Sequence, residues 1–231
     1  MYAPRNSPAR MSSTETALVL LYEDAFLCVA LKPAGMPVQP DLSGDRSLLD
    51  VLQAHYDDPT IGLVHRLDRP VSGVVVFARD AETLAALNGM FRDRQVDKVY
   101  WAIVEGVFKE PRALHHRLIH AQKMKRAKET SANDPDGVDV LLDVKPMNIG
   151  DRYTLLEIRP TGGAFHQIRA QLALAGYPIK GDVKYGARRG EKDRSIMLHA
   201  RSLSFQHPMT DAQIYVEALS PNAPLWKALL G

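Results

Sequence analysis

The chain has 231 residues, of which 45% are hydrophobic and 24% are charged, and its formal net charge at pH 7 is +2. These values are typical of a globular protein with a sizeable core, and the net charge is too near neutral to indicate a nucleic-acid-binding protein by itself. No run of about 18 apolar residues occurs in the sequence, so no membrane-spanning helix is expected.

The first segment, residues 1–14, is polar and is expected to be disordered. It lacks the apolar stretch of an export signal. The single cysteine, Cys28, cannot form an internal disulfide and is expected to be a small buried hydrophobic residue. Both features favour a cytoplasmic location. Residues 15–231 are expected to form one domain.

Regular hydrophobic patterns begin at Ala17 and predict both strands and helices. Two short strands come first, followed by a proline-rich loop, a helix that Ser47 can cap, a buried strand, and a helix that Asp80 can cap. The predicted ranges are 17–24, 26–31, 32–41, 46–56, 74–78 and 81–95.

The second half of the chain contains more strands than helices. It is predicted to hold a strand at 98–108, an antiparallel pair at 138–147 and 153–160, a helix at 165–176, and strands at 195–208 and 212–219. Strands in meander-like pairs indicate an α+β fold on a mixed, largely antiparallel sheet. The sequence has no Gly-rich phosphate loop of the kind used by dinucleotide-binding and ATP-binding enzymes.

Positive charge is concentrated in residues 112–128, which carry six Lys or Arg, three His and no acid. Such a segment is usually a solvated face, but its length and one-sided charge favour contact with an RNA phosphate backbone. Lys123, Lys125 and Arg126 are the candidate contacts. A second basic cluster lies at 180–194. No carboxylate or cysteine accompanies the histidines, so no metal site is expected.

A lone carboxylate, Asp68, lies between Arg66 and Arg69 in the segment HRLDRPVSG, residues 65–73. The likeness of HRLD to a kinase catalytic loop fails, because Leu67 interrupts the triplet and no Gly-rich loop precedes it. Asp68 is either a structural ion-pair partner or a reactive carboxylate. Arg169 is a candidate partner, since a guanidinium on a helix suits a carboxylate, although the sequence alone cannot place the two together.

Five segments occur in the order found in one known family. They are KPAGM (32–36), HRLDRPVSG (65–73), KVYWAIVEG (98–106), HQIRAQLALAGYPIKGD (166–182) and SIMLHA (195–200). Together they resemble the RluA-type pseudouridine synthases. The resemblance implies isomerisation of uridine to pseudouridine in ribosomal or transfer RNA, without cofactor or metal. It also implies a sheet flanked by helices with a central active-site cleft, and we expect a monomer.

The resemblance also implies roles for individual residues. Asp68 matches the essential aspartate that acts at the ribose C1′ side of the glycosidic bond. Tyr100 matches the tyrosine that packs on the base and is the candidate to remove the C5 proton. Arg169 matches the basic residue that pairs with the aspartate. Arg66 matches an arginine that fills the space left by the flipped base, and His65 and Arg69 are expected to contact RNA beside it.

The sequence departs from the family pattern just before the third helix. With Gly163 taken as the family's glycine, Ala164 stands where the family has an arginine, and Phe165 stands where it has a small polar residue or histidine. If Thr161 and Gly162 are instead the family's Thr-Gly pair, one residue is inserted, and the arginine is missing in either case. A cation is therefore missing near the expected site, which leaves a second hypothesis open: an RNA-binding module that kept the fold and lost activity. A hydrolase that uses Asp68 would need a second acid, which these motifs do not offer.

Overall fold

The computed structural model describes residues 18–231, so the segment 1–14 that was expected to be disordered lies outside the described residues. The described part contains eleven strands and four α-helices. The strands are β1 (Leu20–Glu23), β2 (Leu27–Lys32), β3 (Gly62–Leu63), β4 (Ser72–Ala78), β5 (Asp97–Glu105), β6 (Arg112–Ala121), β7 (Arg126–Glu129), β8 (Val138–Ile149), β9 (Tyr153–Thr161), β10 (Leu198–Gln206) and β11 (Gln213–Glu217). The helices are α1 (Leu48–Tyr56), α2 (Ala81–Arg92), α3 (Gln167–Leu174) and α4 (Pro224–Leu230).

All eleven strands belong to one sheet. Its main path runs β1-β2-β4-β10-β5-β9-β8-β6-β7, while β3 pairs with β4 and β11 pairs with β10. The pairing of β4 with β10 is parallel, and every other pairing of the described strands is antiparallel. The predicted α+β fold on a mixed, largely antiparallel sheet is therefore confirmed. Within residues 18–231, no helix is long and apolar enough to span a bilayer.

Both predicted helix caps are present. The Ser47 hydroxyl accepts the backbone N–H of Asp50, whose carboxylate in turn accepts the backbone N–H of Ser47, so the two residues form a capping box at the start of α1. The carboxylate of Asp80 accepts the backbone N–H of Thr83 at the start of α2. These local side-chain bonds satisfy N–H groups that would otherwise lack partners in the first turn.

Several elements differ from the prediction. The basic segment 112–128 forms the hairpin of β6 and β7, joined by a short 3₁₀ turn, and α4 was not predicted at all. Helix α3 begins at Gln167 and not at 165, because His166 adopts a left-handed backbone conformation with φ of 52°. That conformation cannot continue a right-handed helix, so it turns the chain just before α3.

Strand β4 lies at the centre of the core. Every residue from Ser72 to Ala78 is buried, because helices cover both faces of the sheet here. Val75 and Phe77 belong to the same apolar cluster as Leu52 of α1, whereas Val74 and its neighbours on the other face pack with Leu87 of α2. The loop that carries Asp68 leads directly into this strand, so it is anchored to the most deeply buried part of the sheet.

Gly73 allows β4 and β10 to approach each other. It pairs with Ala200 in the parallel register and has φ of 126°. A Cβ at this position would lie 2.3 Å from the carbonyl oxygen of Ala200, a distance that no real contact allows. Because the opposing atom is backbone, neither strand can move aside without breaking the pairing.

We predict that Gly73→Ala lowers the free energy of unfolding by more than about 2 kcal/mol, because the new methyl group adds a steric clash to a strained backbone conformation. The control is Gly89→Ala on α2, where a Cβ would meet only the side chain of Arg92 at 3.6 Å. That control should gain about 0.5–1 kcal/mol from helix propensity. Urea unfolding measures both, and equal stability of the two variants would contradict the role given to Gly73.

Candidate active site

The loop between β3 and β4 presents Asp68 at the rim of a cavity. Leu67 and Val71 are buried on either side of it, and the backbone N–H of Val71 donates to the carbonyl of Asp68 at 3.0 Å. The side chain of Asp68 keeps 19% of its surface exposed. Apolar anchoring of the loop therefore leaves one carboxylate facing an accessible space.

Arg169 of α3 joins Asp68 to a second carboxylate. Its Nη1 donates to Oδ2 of Asp68 at 2.9 Å, so the structure places the predicted pair in contact. Its Nε and Nη2 donate to the two carboxylate oxygens of Asp182 at 2.7 and 2.9 Å. Both Arg169 and Asp182 are buried. The two-pronged bond to Asp182 fixes the plane of the guanidinium and leaves Nη1 directed at Asp68.

His166 lies against the same carboxylate. Its Nε2 is 3.4 Å from Oδ2 of Asp68 and 3.0 Å from Nη1 of Arg169. Its Nδ1 is 2.8 Å from the hydroxyl of Tyr185, which also accepts the backbone N–H of Ala127. Burial lowers the pKa of His166 to about 4, and the charge of Asp68 offsets only part of that shift. The imidazole is therefore neutral at pH 7, so Arg169 supplies the positive charge beside Asp68.

Tyr100 approaches the cavity from β5. Burial, and after it the negative charge of Asp68, raise the pKa of the phenol well above its ordinary value. The hydroxyl is therefore protonated at neutral pH. Lys98 of the same strand also lines the cavity and donates to the carbonyl of Gly162, and burial lowers its pKa.

Two connected spaces surround these residues. The inner cavity has a volume of about 100 Å³, and Asp68, Tyr100 and Arg169 line it together. It shares Lys98 and Tyr100 with an outer groove of about 620 Å³. The groove runs between the C-terminal end of α2 and the strands β6–β8. Such an arrangement can hold one small planar group inside while a longer molecule follows the groove outside.

The three residues predicted to contact RNA in the HRLDR segment have different surroundings. Arg66 is exposed and lines both spaces. Arg69 instead donates to the carbonyl of Gly35 at 2.8 Å and pairs with Asp45 across the loop at 32–45. These contacts tie Arg69 to the neighbouring loop, and its contact with RNA stays a prediction.

His65 also has a structural role. Its Nε2 accepts the backbone N–H of Val76 at 3.1 Å, and its ring stacks on Phe91 with centroids 4.7 Å apart. Burial lowers the pKa of His65 to about 3. The ring lines the outer groove, so it can contact a ligand there only as a neutral group.

The predicted basic contacts lie at the tip of the β6–β7 hairpin, outside both spaces. Lys123 and Lys125 are exposed. Arg126 differs, because its guanidinium lies over the ring of Tyr185 with the centroid 5.6 Å away. Lys123 and Lys125 therefore remain the better candidates for backbone contacts.

Sequence reasoning did not identify Asp182 or Tyr185 as site residues. Asp182 lies 13 positions after Arg169, and the turn through Gly176 and the short strand-like bridge at Ile179 bring it back. No spacing of residues in the sequence predicts the contact between Asp182 and Arg169. The one available signal was its place at the end of the family-like segment HQIRAQLALAGYPIKGD.

The chain is similar to known proteins over most of its length. The family model described as RNA pseudouridylate synthase matches residues 27–174. The tRNA pseudouridine synthase C of Vibrio parahaemolyticus is 30% identical, over 87% of this chain and 89% of that protein. The ribosomal large subunit pseudouridine synthase C of Pasteurella multocida is 32% identical, over 92% of this chain and 67% of that protein. The structure of human RNA pseudouridylate synthase domain containing 1 superimposes with a TM-score of 0.77 at 22% identity, over 94% of this chain and 89% of that one, which supports the fold.

We predict that Asp182→Asn lowers the free energy of unfolding by about 3–5 kcal/mol, because it removes the charge that balances a buried guanidinium. The matched control is Asp139→Asn, in which the same substitution breaks a pair with Arg117 at a carboxylate that is 61% exposed. The control should cost no more than about 1 kcal/mol. Urea unfolding compares them, and a small, equal cost at both positions would mean that Asp182 does not hold Arg169.

Proposed function

The chain belongs to the RNA pseudouridylate synthase family, and from this we propose how its residues carry out the reaction. The protein is an isomerase that converts uridine in transfer or ribosomal RNA to pseudouridine. The glycosidic bond is broken, and the uracil is rejoined to the ribose through C5. The observation that supports our assignment of roles is that Asp68, Tyr100 and Arg169 meet in one cavity.

We assign to Asp68 the step at C1′ of the ribose. The contacts with Arg169 and His166 both fall on Oδ2, so Oδ1 is the oxygen proposed to face the substrate. Among the described residues that line the inner cavity, Asp68 is the only acid. A glycoside hydrolase places two carboxylates about the scissile bond, so the cavity favours the isomerase over the hydrolase considered from the sequence.

Tyr100 is proposed to contact the uracil and to take part in removing the C5 proton. Its pKa is raised by burial and by the charge of Asp68. Asp68 gives up its negative charge when it bonds to C1′ or takes a proton from the ribose. That charge then no longer raises the pKa of Tyr100. The phenol then ionises more easily, so the first step of the reaction prepares Tyr100 for the last one.

Arg169 is proposed to hold the Asp68 carboxylate in place throughout. Its guanidinium cannot rotate freely, because two of its nitrogens are bound to Asp182. A fixed donor keeps the reacting carboxylate within a narrow range of positions. The presence of this complete pair supports an active enzyme over a lapsed RNA-binding module, despite the missing cation at Ala164.

The RNA is proposed to enter along the outer groove. C1′ and C5 of a stacked uridine are inaccessible, so the target base has to leave its stack before it can reach Asp68. Arg66, which is exposed at the junction of the two spaces, is placed to fill the gap that the base leaves. The cytoplasmic location and the monomeric state stay predictions from the sequence.

We predict that Asp68→Asn abolishes turnover and preserves the fold, because the amide is nearly isosteric but neither nucleophilic nor basic. Tritium release from RNA that carries C5-labelled uridine measures turnover, and circular dichroism measures folding. The matched control, Asp45→Asn, changes an exposed acid that pairs with Arg69 outside the cavity and should keep turnover. Release of tritium by well-folded Asp68→Asn protein would reject the assignment.

We predict that replacing Lys123 and Lys125 by Ala weakens binding to all RNAs about equally, because phosphate contacts carry no sequence information. The slope of log affinity against log salt should fall by about 1.4 if two contacts to single-stranded RNA are lost. Lys109 and Lys227, exposed residues that line neither space, are the control pair. An unchanged slope would show that the hairpin tip is only a solvated face, and a loss confined to one RNA would make it a specificity element.

A further inference from the structure

Three aromatic rings form a continuous stack beside the active site. The ring of Phe165 lies between two imidazoles, with its centroid 3.8 Å from that of His120 and 3.9 Å from that of His166. The interplanar angles are 32° and 17°, so the rings are close to parallel. We call His120, Phe165 and His166 the ring ladder. Stacking of this kind fixes each ring against its neighbour.

The two ends of the ring ladder have different surroundings. The inner end, His166, is held by Asp68, Arg169 and Tyr185. The outer end, His120, is exposed and lines the outer groove together with Phe165. Within residues 18–231, Phe165 is the only ring stacked on His120. The ladder therefore leads from the reacting carboxylate to an imidazole that has room for one more planar group.

The groove around His120 suits a nucleic acid strand. Arg66 and Arg94 are exposed and line it, so cations that can meet phosphates lie beside a planar ring. The combination of cations for the backbone and aromatic rings for the bases is typical of sites for unpaired nucleic acid. Because the groove opens into the cavity of Asp68, the strand that carries the target uridine has to pass this point.

Base flipping creates the need for such a surface. When the target uridine moves into the inner cavity, the adjacent base loses a stacking partner, which costs free energy. A preformed ring at the edge of the groove can replace that partner. Both faces of Phe165 are already covered, so the available surface is the outer side of His120, which Phe165 supports from behind.

We propose that His120, backed by Phe165, is a stacking platform for the unpaired nucleotide next to the target uridine. This rests on the proposed function, since it assumes that RNA occupies the groove. Every base has a π face, so the platform sets the position of the strand and does not read the identity of the base. Phe165 is a residue at which the sequence departs from the family pattern, so the platform belongs to this chain.

The test measures stacking apart from catalysis. The protein carries Asp68→Asn throughout, so that RNA binds without turnover. One probe is a nine-nucleotide RNA with a single central uridine and adenosines elsewhere. The other is the same RNA with abasic riboses on both sides of the uridine, which keeps every phosphate. Fluorescence anisotropy at one salt concentration gives both affinities.

We expect the complete RNA to bind about 5- to 150-fold more tightly than the abasic one, which corresponds to about 1–3 kcal/mol for one stacked base. Adding His120→Leu should remove most of this difference, because leucine keeps contact with Phe165 but offers no flat face. Adding His120→Tyr should restore it. His115→Leu is the matched control: this residue lies on β6 five positions away, where strand alternation points it to the opposite face, and the difference should persist.

Three results would overturn the proposal. The first is equal binding of the two probes by the Asp68→Asn protein. The second is a difference that survives His120→Leu, and the third is a loss that is the same for both probes, which would make His120 a contact for the backbone. A failure of the proposed function is seen separately, as absence of tritium release by the protein with Asp68 intact.

Discussion

A single buried guanidinium shared by two carboxylates organises this protein. Asp182 is buried and binds two nitrogens of Arg169, whereas Asp68 is partly exposed and binds the third. His166 is neutral, so two negative charges face one positive charge in this group. Because Asp182 is bound by two of the guanidinium nitrogens, the negative charge without a full partner lies on Asp68, the carboxylate that stays partly exposed. The arrangement therefore separates Asp182, which holds the guanidinium, from Asp68, the carboxylate that is proposed to react.

The sheet supplies the rigidity that this charge arrangement needs. Below the Asp68 loop, the buried Nζ of Lys32 donates to the carbonyls of Pro33, Met36 and Arg69. Burial lowers the pKa of Lys32 to about 7, but three carbonyl acceptors require three N–H groups, which only the ammonium form has. Lys32 thus ties the KPAGM loop to the backbone beside Asp68. On β4, Gly73 lets β10 approach closely, and this pairing fixes the end of the loop that carries Asp68.

Local signals in the sequence predicted most of the helices and strands, but they did not predict the contacts between residues that are far apart along the chain. Ser47 and Asp80 cap helices through bonds three residues away, so a short stretch contains all the information. Asp68 and Arg169 are 101 positions apart, so their residue types made them candidate partners, but only the family resemblance implied that they pair. Asp182 had no local signal, because a turn and a bridge outside any regular pattern bring it to Arg169.

The β6–β7 hairpin was missed for a different reason. Histidines and cations interrupt the alternation of apolar and polar residues in this segment, so its positive charge was easier to recognise than its strand pattern.

In the structure, fewer side chains of the two basic clusters are available to bind RNA than the sequence indicates. In residues 112–128, Arg117 pairs with Asp139 at 2.6 Å, and Arg112 and Arg126 lie over the rings of Phe108 and Tyr185. Half of the six cations counted in that segment are therefore already engaged with acids or rings, and in the second cluster Lys180 pairs with Glu191. Fewer charges are left for phosphates than the sequence suggests, so electrostatic attraction alone gives a weaker hold on RNA. Stacking then has to contribute more of the affinity. The ring ladder ends in the outer groove, where this stacking is proposed to take place.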